Sequence, residues 1–264
     1  MRDLKLPKLS DDLTQPLSES DFHKLWVEYV DADASAHDKA WVGGYCADQP
    51  GWIFAAGYQA AIAYTFPETG FADWAAFAVS EDRTAESPLP GLTSSDGQVI
   101  SGFKTWIATS RHSRALIVSY QYDEQRYFRQ FAIDCPGITV THKDAPGLLP
   151  DLSQGVAEFS QVELSLGTDV DISRIAHFGQ IEGFFVLVSM LACLQRFARH
   201  AQLGQLVDDA LSDAQSIAMS PQTNPALAEF KTCCRDLLRE VRSTPLGQQP
   251  LWQRDGKLLA GYAR

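Results

Sequence analysis

The segment Asp96–Ile107, DGQVISGFKTWI, carries the pattern that decides the middle of the chain. The residues just before and at its start, Ser94–Gly97, favour a tight turn. Gln98–Ala108 then collects β-branched and aromatic side chains, which predicts a strand. The same texture predicts strands over Ala115–Gln121, Tyr127–Ile133, Gly137–Thr141 and Val156–Leu164. Short strands separated by Gly, Pro and Asp are typical of an antiparallel sandwich or barrel.

Before these strands the chain has a helical texture. Ser18 is placed to cap a helix over the next residues, and Gly43-Gly44 predicts a break in the chain. Trp52–Ala63 is apolar; we interpret it as a helix, followed by a strand from about Ile62.

After the strands the helical texture returns. Gly183–Leu211 predicts one long core helix, Ala226–Val241 an amphipathic helix, and the last twenty residues an irregular end. We therefore expect an α+β fold with a central antiparallel β-barrel or sandwich, flanked by N- and C-terminal helices. The expected division is a short helical region at 1–61, a β-rich middle domain at 62–175 and a helical domain at 176–264.

Composition narrows the class of protein. The chain has 264 residues, of which 45% are hydrophobic and 21% charged, as in ordinary globular domains. Its net charge of −11 argues against nucleic acid as the partner. The most apolar run, Gly183–Leu194, is too short to span a membrane, and the N-terminus lacks an apolar signal core. Five cysteines without a CxxC pair favour a reduced, cytoplasmic location.

Positive charge is concentrated near the C-terminus. From Lys231 to Arg264 there are seven Lys or Arg and three Asp or Glu. Four of these cations are predicted to share one face of a helix: Lys231, Arg235, Arg239 and Arg242. The face is either a solvated surface, a docking surface for a partner chain, or a site for an anionic ligand.

General catalytic motifs give no signal. The six histidines lack metal-ligand spacing, so no metal site is expected. The sequence has no GxSxG, no phosphate-binding P-loop motif and no GxGxxG.

An ordered series of short motifs goes further. The residues that carry it are Thr65–Asp73 (TFPETGFAD), Asp96–Ile107, Phe131–Ile138, Val156–Val162 (VAEFSQV), Gly179–Phe184 (GQIEGF) and Arg196. In order and spacing the series resembles the acyl-CoA dehydrogenase family over roughly Ile62–Asp209. The resemblance implies an FAD-containing oxidoreductase of fatty acid metabolism. Such an enzyme acts on the CH–CH group of an acyl-CoA or acyl-carrier thioester, with a glutamate as the base and the flavin as the hydride acceptor.

The resemblance also implies roles for individual residues. Five are placed on the flavin side: Tyr64, Thr65, Gly70, Trp106 and Thr109. Phe71 and Arg196 are placed on the substrate side. The alternatives are structural: Trp106 as a core tryptophan of the sheet, Thr65 as a plain strand-end hydroxyl, Gly70 as a turn glycine and Arg196 as a locally paired arginine of the helix bundle.

The sequence departs from the family at the chemically decisive positions. Ala108 stands where a hydroxyl is expected two residues after the tryptophan, and Thr109 supplies one only through a one-residue shift. Gln195 precedes Arg196 at a position where one branch of the family has its glutamate, and an amide cannot take a proton as a carboxylate does. No catalytic glutamate is identifiable elsewhere.

The helical regions are also shorter than in the family, and a shortened bundle is expected to cover its apolar faces by forming a homo- or hetero-oligomer. These departures leave a second function open: a non-catalytic relative that partners a full-length dehydrogenase or binds an acyl thioester or its carrier. A third is a structural or assembly protein that kept only the fold.

Overall fold

The computed structural model describes residues 6–9, 15–67, 74–82, 88–143, 147–197, 201–217, 220–221 and 223–264. The helices are α1 (Glu19–Tyr29), α2 (Ala36–Cys46), α3 (Pro50–Thr65), α4 (Ile172–Ile175), α5 (Phe178–Phe197), α6 (Ala201–Ile217), α7 (Leu227–Val241) and α8 (Pro250–Tyr262). The strands are β1 (Ala75–Ala78), β2 (Val99–Ala108), β3 (Ala115–Tyr122), β4 (Gln125–Ala132), β5 (Ile138–His142), β6 (Gln154–Glu163) and β7 (Thr168–Asp169). The chain forms two units, a helical unit of residues 1–65 and 177–264, and a β unit of residues 66–176.

The helical unit is built around two almost wholly apolar helices, α3 and α5, with α2 packed against both. Small residues allow the backbones to approach closely. A Cβ atom on Gly44 would lie 2.2 Å from the carbonyl oxygen of Ser189, and one on Gly57 would lie 2.4 Å from Cα of Val186. The predicted break at Gly43-Gly44 is therefore wrong, because both glycines lie inside α2 and serve its packing.

Serine caps start the first two helices. The Ser18 hydroxyl accepts a hydrogen bond from the backbone N–H of Asp21 at 3.2 Å, as the sequence predicts. Ser35 does the same for Asp38 at 3.1 Å and starts α2. Each cap satisfies an N–H group that has no partner within its own helix.

The β unit contains two open sheets, ordered β1-β3-β4-β7 and β2-β6-β5. Both sheets contribute to one core; Phe131 of β4 and Phe159 of β6 meet edge to face with ring centroids 5.9 Å apart. The sandwich alternative therefore describes the β unit, whereas a closed barrel is wrong. The antiparallel expectation also fails at one edge, since β1 pairs with β3 in parallel.

The five predicted strands are confirmed within two residues at each end as β2 to β6. Three other predictions are wrong or incomplete. Residues 62–65 are the last turn of α3 and not the start of a strand. The C-terminal residues include the regular helix α8. The predicted long helix covers parts of α5 and α6, and residues 198–200 between them lie outside the described residues.

Within the described residues, α5 is the single helix long and apolar enough to cross a membrane. Most of it is buried inside the helical unit. This burial is what a central helix of a bundle shows.

Candidate flavin and acyl-thioester site

Trp106 lies at an irregular point of β2, where its register with β6 shifts between Lys104 and Ile107. Its indole Nε1–H donates a 3.0 Å hydrogen bond to Oε1 of Gln154, the first residue of β6. The Gln154 amide nitrogen in turn donates to the backbone oxygens of Leu148 and Leu149. Trp106 is half-buried, so its ring is held in one orientation and still has an exposed part. Both properties fit a ring that packs beside a flat cofactor.

Thr109 follows directly after β2 and has a left-handed backbone, with φ of 52°. Its hydroxyl is fully buried and donates to the backbone oxygen of Ala108 at 2.7 Å. The Ser113 hydroxyl lies 2.9 Å from it and 3.3 Å from the same Ala108 oxygen, so the two hydroxyls share this acceptor and each other. The Thr109 hydroxyl therefore holds the turn after β2 together. Its role toward a flavin stays a prediction.

Tyr64 and Thr65 close α3 in the helical unit, and Tyr64 packs on Phe185 with ring centroids 5.6 Å apart. Thr65 is 2% exposed, and its hydroxyl oxygen has no hydrogen-bond partner among the described residues. A buried hydroxyl without a partner has a free-energy cost of about 1–3 kcal/mol. An acceptor on a bound ligand would remove that cost, so Thr65 fits a flavin-side role. Gly70 and Phe71 lie outside the described residues.

Gln195 lies in the last turn of α5. Its amide nitrogen donates to Oδ1 of Asp208 on α6 at 3.0 Å, while its amide oxygen is buried without a donor. The position therefore holds a neutral amide next to a carboxylate of the neighbouring helix.

Arg196 is tied to the helical unit itself. One guanidinium nitrogen donates to the backbone oxygen of Tyr45 at 2.6 Å, in the last turn of α2. The guanidinium also lies over the Phe197 ring, 4.2 Å from its centroid. Its charge lowers the pKa of Asp48, although burial raises that pKa more strongly. A cation at the C-terminal end of α2 stabilises the helix dipole there. The Arg196 Nε is buried without a hydrogen-bond partner among the described residues, so both the local pairing and the substrate-side role stay predictions.

The structure adds a carboxyl group to which sequence reasoning gave no role. Glu182, near the start of α5, accepts a 3.2 Å hydrogen bond from the Tyr262 hydroxyl of α8. Burial raises the pKa of Glu182 to about 7, and the hydrogen bond from Tyr262 opposes the shift. Burial and the neighbouring Glu182 together raise the pKa of Tyr262. In the sequence, Glu182 is marked only as an acidic residue inside an apolar helix. Its partner Tyr262 was not predictable, because the last twenty residues were expected to be irregular.

Thirteen residues, roughly 20 Å of helix, separate Glu182 from Gln195, so Glu182 does not stand in for the missing glutamate. No group of three or more His, Cys, Asp or Glu side chains that could hold a metal ion occurs among the described residues.

Solved structures share this arrangement of helices and sheets. The butyryl-CoA dehydrogenase of Megasphaera elsdenii is 13% identical, with a TM-score of 0.62 over 94% of this chain and 87% of that chain. The prolyl acyl carrier protein oxidase AnaB is 11% identical, with a TM-score of 0.55 over 83% of this chain and 74% of that chain. PigA in its FAD complex is 10% identical, with a TM-score of 0.57 over 92% of this chain and 82% of that chain. No protein-family model and no curated protein sequence matches the chain.

These likenesses define the class of fold: the chain has the acyl-CoA dehydrogenase fold. The proteins that share it include an FAD-dependent dehydrogenase, the oxidase AnaB and PigA, which is solved as an FAD complex. At 10–15% identity the likeness concerns the fold, and the activity of this chain has to be argued from its own residues.

Proposed function

We propose that the protein binds FAD and an acyl thioester, as an oxidoreductase-type flavoprotein of the acyl-CoA dehydrogenase kind. The observation that carries the proposal is the buried Thr65 hydroxyl, which has no hydrogen-bond partner in the described part of the chain and stands at a position that the resemblance assigns to the flavin. The half-buried Trp106 ring, fixed by Gln154, supports it from the β unit. Bound FAD would supply the hydride acceptor for oxidation of a CH–CH bond.

The chain's own residues divide the work of binding. Thr65 would donate a hydrogen bond to an acceptor atom of bound FAD. The Thr109 hydroxyl contacts the Ala108 oxygen within the turn that follows β2. Arg196 fixes the end of α5 against α2, which sets the position of Gln195 one residue earlier.

Proton abstraction is the step that this chain is least equipped to perform. A carboxylate near the acyl α carbon typically contributes about 10² to 10⁴ in rate. Gln195 has no basic group, and its amide nitrogen donates a hydrogen bond to the Asp208 carboxylate. This observation favours a second candidate function, a non-catalytic relative that binds the thioester or its carrier, or that partners a complete dehydrogenase.

The first experiment measures flavin directly. Protein purified without added cofactor, and again after incubation with FAD and gel filtration, is examined by visible absorbance. Thr65→Val should lower the FAD affinity about tenfold, because it removes one hydrogen bond to a buried group. The matched control is Thr232→Val on α7, whose hydroxyl donates to the Ala228 backbone oxygen within its own helix. A wild-type protein that takes up no flavin contradicts the proposal and leaves the thioester-binding or structural alternatives.

The second experiment separates the enzyme from the non-catalytic relative. Gln195→Glu installs a carboxylate beside Asp208, whose like charge raises the pKa of the new group. The bleaching of flavin absorbance monitors dehydrogenation of acyl-CoA. The rate should be near background in the wild type and measurable in this variant. The control is Gln205→Glu, since Gln205 pairs with Asp209 in the same way along α6. Brisk turnover by the wild type means that another carboxylate serves as the base.

A further inference from the structure

A cleft of about 310 Å³ lies between α7 and α8 in the helical unit. Its apolar wall includes the buried side chains of Leu238, Val241 and Trp252. On α8, Gly256 and Ala260 follow one another at helical spacing and keep the groove open; a Cβ atom on Gly256 would meet no atom within 4 Å. The cleft therefore accommodates a small, flat, largely apolar group.

The cleft carries positive charge that the protein does not neutralise. Arg242 of α7 and Lys257 of α8 both line it, and no Asp or Glu does. Among the described residues neither cation has an ion pair or a hydrogen bond from its charged group. Both side chains are exposed, so water solvates them in the free protein and both are available to an anion that enters the cleft.

Each of the other cations of the basic face has at least one contact within the chain, although the buried Nε of Arg235 has no hydrogen-bond partner among the described residues. Arg239 pairs with Asp236 at 2.5 Å, and Arg235 donates to the Thr232 hydroxyl at 3.3 Å. Lys231 donates to the backbone oxygen of the C-terminal residue at 3.3 Å. Of the four cations on this face, Arg242 is the one without a partner among the described residues, and it is the one that lines the cleft.

Two further features are suited to a ligand. Trp252 is 5% exposed, and its indole N–H has no acceptor among the described residues. The Gln248 amide donates to the Arg242 backbone oxygen at 2.7 Å and accepts from Gln253 at 3.2 Å. These amide contacts connect the mouth of the cleft to the end of α7, so the cleft is formed before any ligand arrives.

We propose that this cleft binds a small phosphate monoester attached to a flat ring, that is, a mononucleotide or a ligand of that chemistry. Two cations match the charge of about −1.5 to −2 of a phosphate monoester better than that of a single carboxylate. The apolar wall, to which Trp252 contributes, receives the ring. A cleft of about 310 Å³ is near the lower end for small-molecule sites, which favours one nucleotide over two. The site lies within the helical unit and does not depend on the proposed flavin function.

The test is isothermal titration calorimetry of the full-length protein with AMP, adenosine and inorganic phosphate. AMP should bind at least about tenfold more tightly than either fragment, since only AMP fills both parts of the cleft. Arg242→Gln and Lys257→Gln should each weaken AMP binding about tenfold, the loss of one charged hydrogen bond. Arg239→Gln is the matched control, with the same change in net charge on the same helix, and should leave AMP affinity unchanged.

Gly256→Leu provides a test that does not alter charge. Leucine is favoured over glycine in a helix, and the open space around Gly256 admits it, so this variant should fold while its side chain fills the cleft. It should abolish AMP binding with wild-type circular dichroism. Three results overturn the proposal: no heat from AMP at millimolar concentration, equal weakening by Arg239→Gln and Arg242→Gln, or wild-type affinity in Gly256→Leu. Visible absorbance of the same samples reports flavin separately, so failure of the flavin proposal is distinguishable.

Discussion

Replacing Glu182 by Gln should change how the stability of the helical unit depends on pH. In the folded protein the Glu182 carboxyl is desolvated on α5 and accepts the Tyr262 hydroxyl of α8. Its pKa rises from the usual 4.5 to about 7, chiefly through burial. Glutamine keeps the shape and an oxygen acceptor for Tyr262 but cannot titrate.

Proton linkage gives the direction and the size of the change in the free energy of unfolding with pH. The folded state holds the Glu182 proton more tightly than the unfolded chain does, so the stabilisation is fully present below pH 4.5 and lost as pH rises to about 7. A shift of about 2.5 pH units, at about 1.4 kcal/mol per unit, corresponds to a loss of about 3 kcal/mol. The variant should not show this loss, and above neutral pH it should be more stable than the wild type.

Urea unfolding followed by far-UV circular dichroism, at a series of pH values from 4.5 to 8, measures the difference between the two proteins. Other titrating groups are common to both and cancel in the comparison. Glu229→Gln, at an exposed acid of α7, is the control and should leave the pH dependence unchanged. Tyr262→Phe removes the hydrogen bond that opposes the shift, so it should move the loss of stability to higher pH.

Parallel pH profiles for the wild type and Glu182→Gln would refute the reasoning. They would mean that the Glu182 carboxyl is as well solvated in the folded protein as in the unfolded chain. A different result would be a flattened pH profile in Glu182→Gln and an unchanged profile in Tyr262→Phe. It would mean that burial raises the Glu182 pKa and that the hydrogen bond from Tyr262 has no measurable effect on it.

Two further predictions concern packing and a buried charge. Gly44→Ala should lower the free energy of unfolding by about 1–3 kcal/mol, because its Cβ would collide with the Ser189 backbone of α5, whereas Gly256→Ala should be neutral or stabilising. Lys104→Met should lower the free energy of unfolding by about 1–3 kcal/mol, because the fully buried ammonium donates to Glu81 at 2.6 Å and to the Ser119 hydroxyl at 3.1 Å, while water solvates part of the Glu81 carboxylate, whose side chain is 32% exposed. Adding Glu81→Leu to Lys104→Met should recover part of the loss; urea unfolding checks each variant.

The strands of the β unit were predictable because the local signal and the final environment agree. Ser94–Gly97 forms the turn before β2, and alternating burial along β2 follows the side-chain pattern. The strand that sequence reasoning missed, β1, has only four residues, and its Ala-Ala-Phe-Ala sequence has weak β-propensity. Its pairing with β3 is a long-range contact that no local pattern encodes.

The glycines show the opposite case. Gly43-Gly44 indicates a break by local propensity, because glycine weakens a helix by about 1 kcal/mol relative to alanine. In the folded helical unit the absence of Cβ atoms lets α2 approach Trp26 and α5, and the packing gained offsets that cost. α8 was missed because Pro250 starts a helix as readily as it ends one, and only its packing on α3 and α5 selects the helix.

For the candidate site too, some properties follow from residue type and order, and others depend on contacts in the folded chain. By itself the sequence determined the five strands of the middle segment, the amphipathic helix α7, the likeness to the acyl-CoA dehydrogenases and the amide at Gln195, because these are properties of residue type and order. The folded chain is needed to see that the Thr109 hydroxyl contacts the Ala108 oxygen and that the Thr65 hydroxyl has no partner among the residues described. It alone joined Glu182 to Tyr262 and placed Arg242 and Lys257 around one cleft. The physical reason is that a side chain's protonation and hydrogen bonding depend on its neighbours in space, and in a folded chain these come from distant segments.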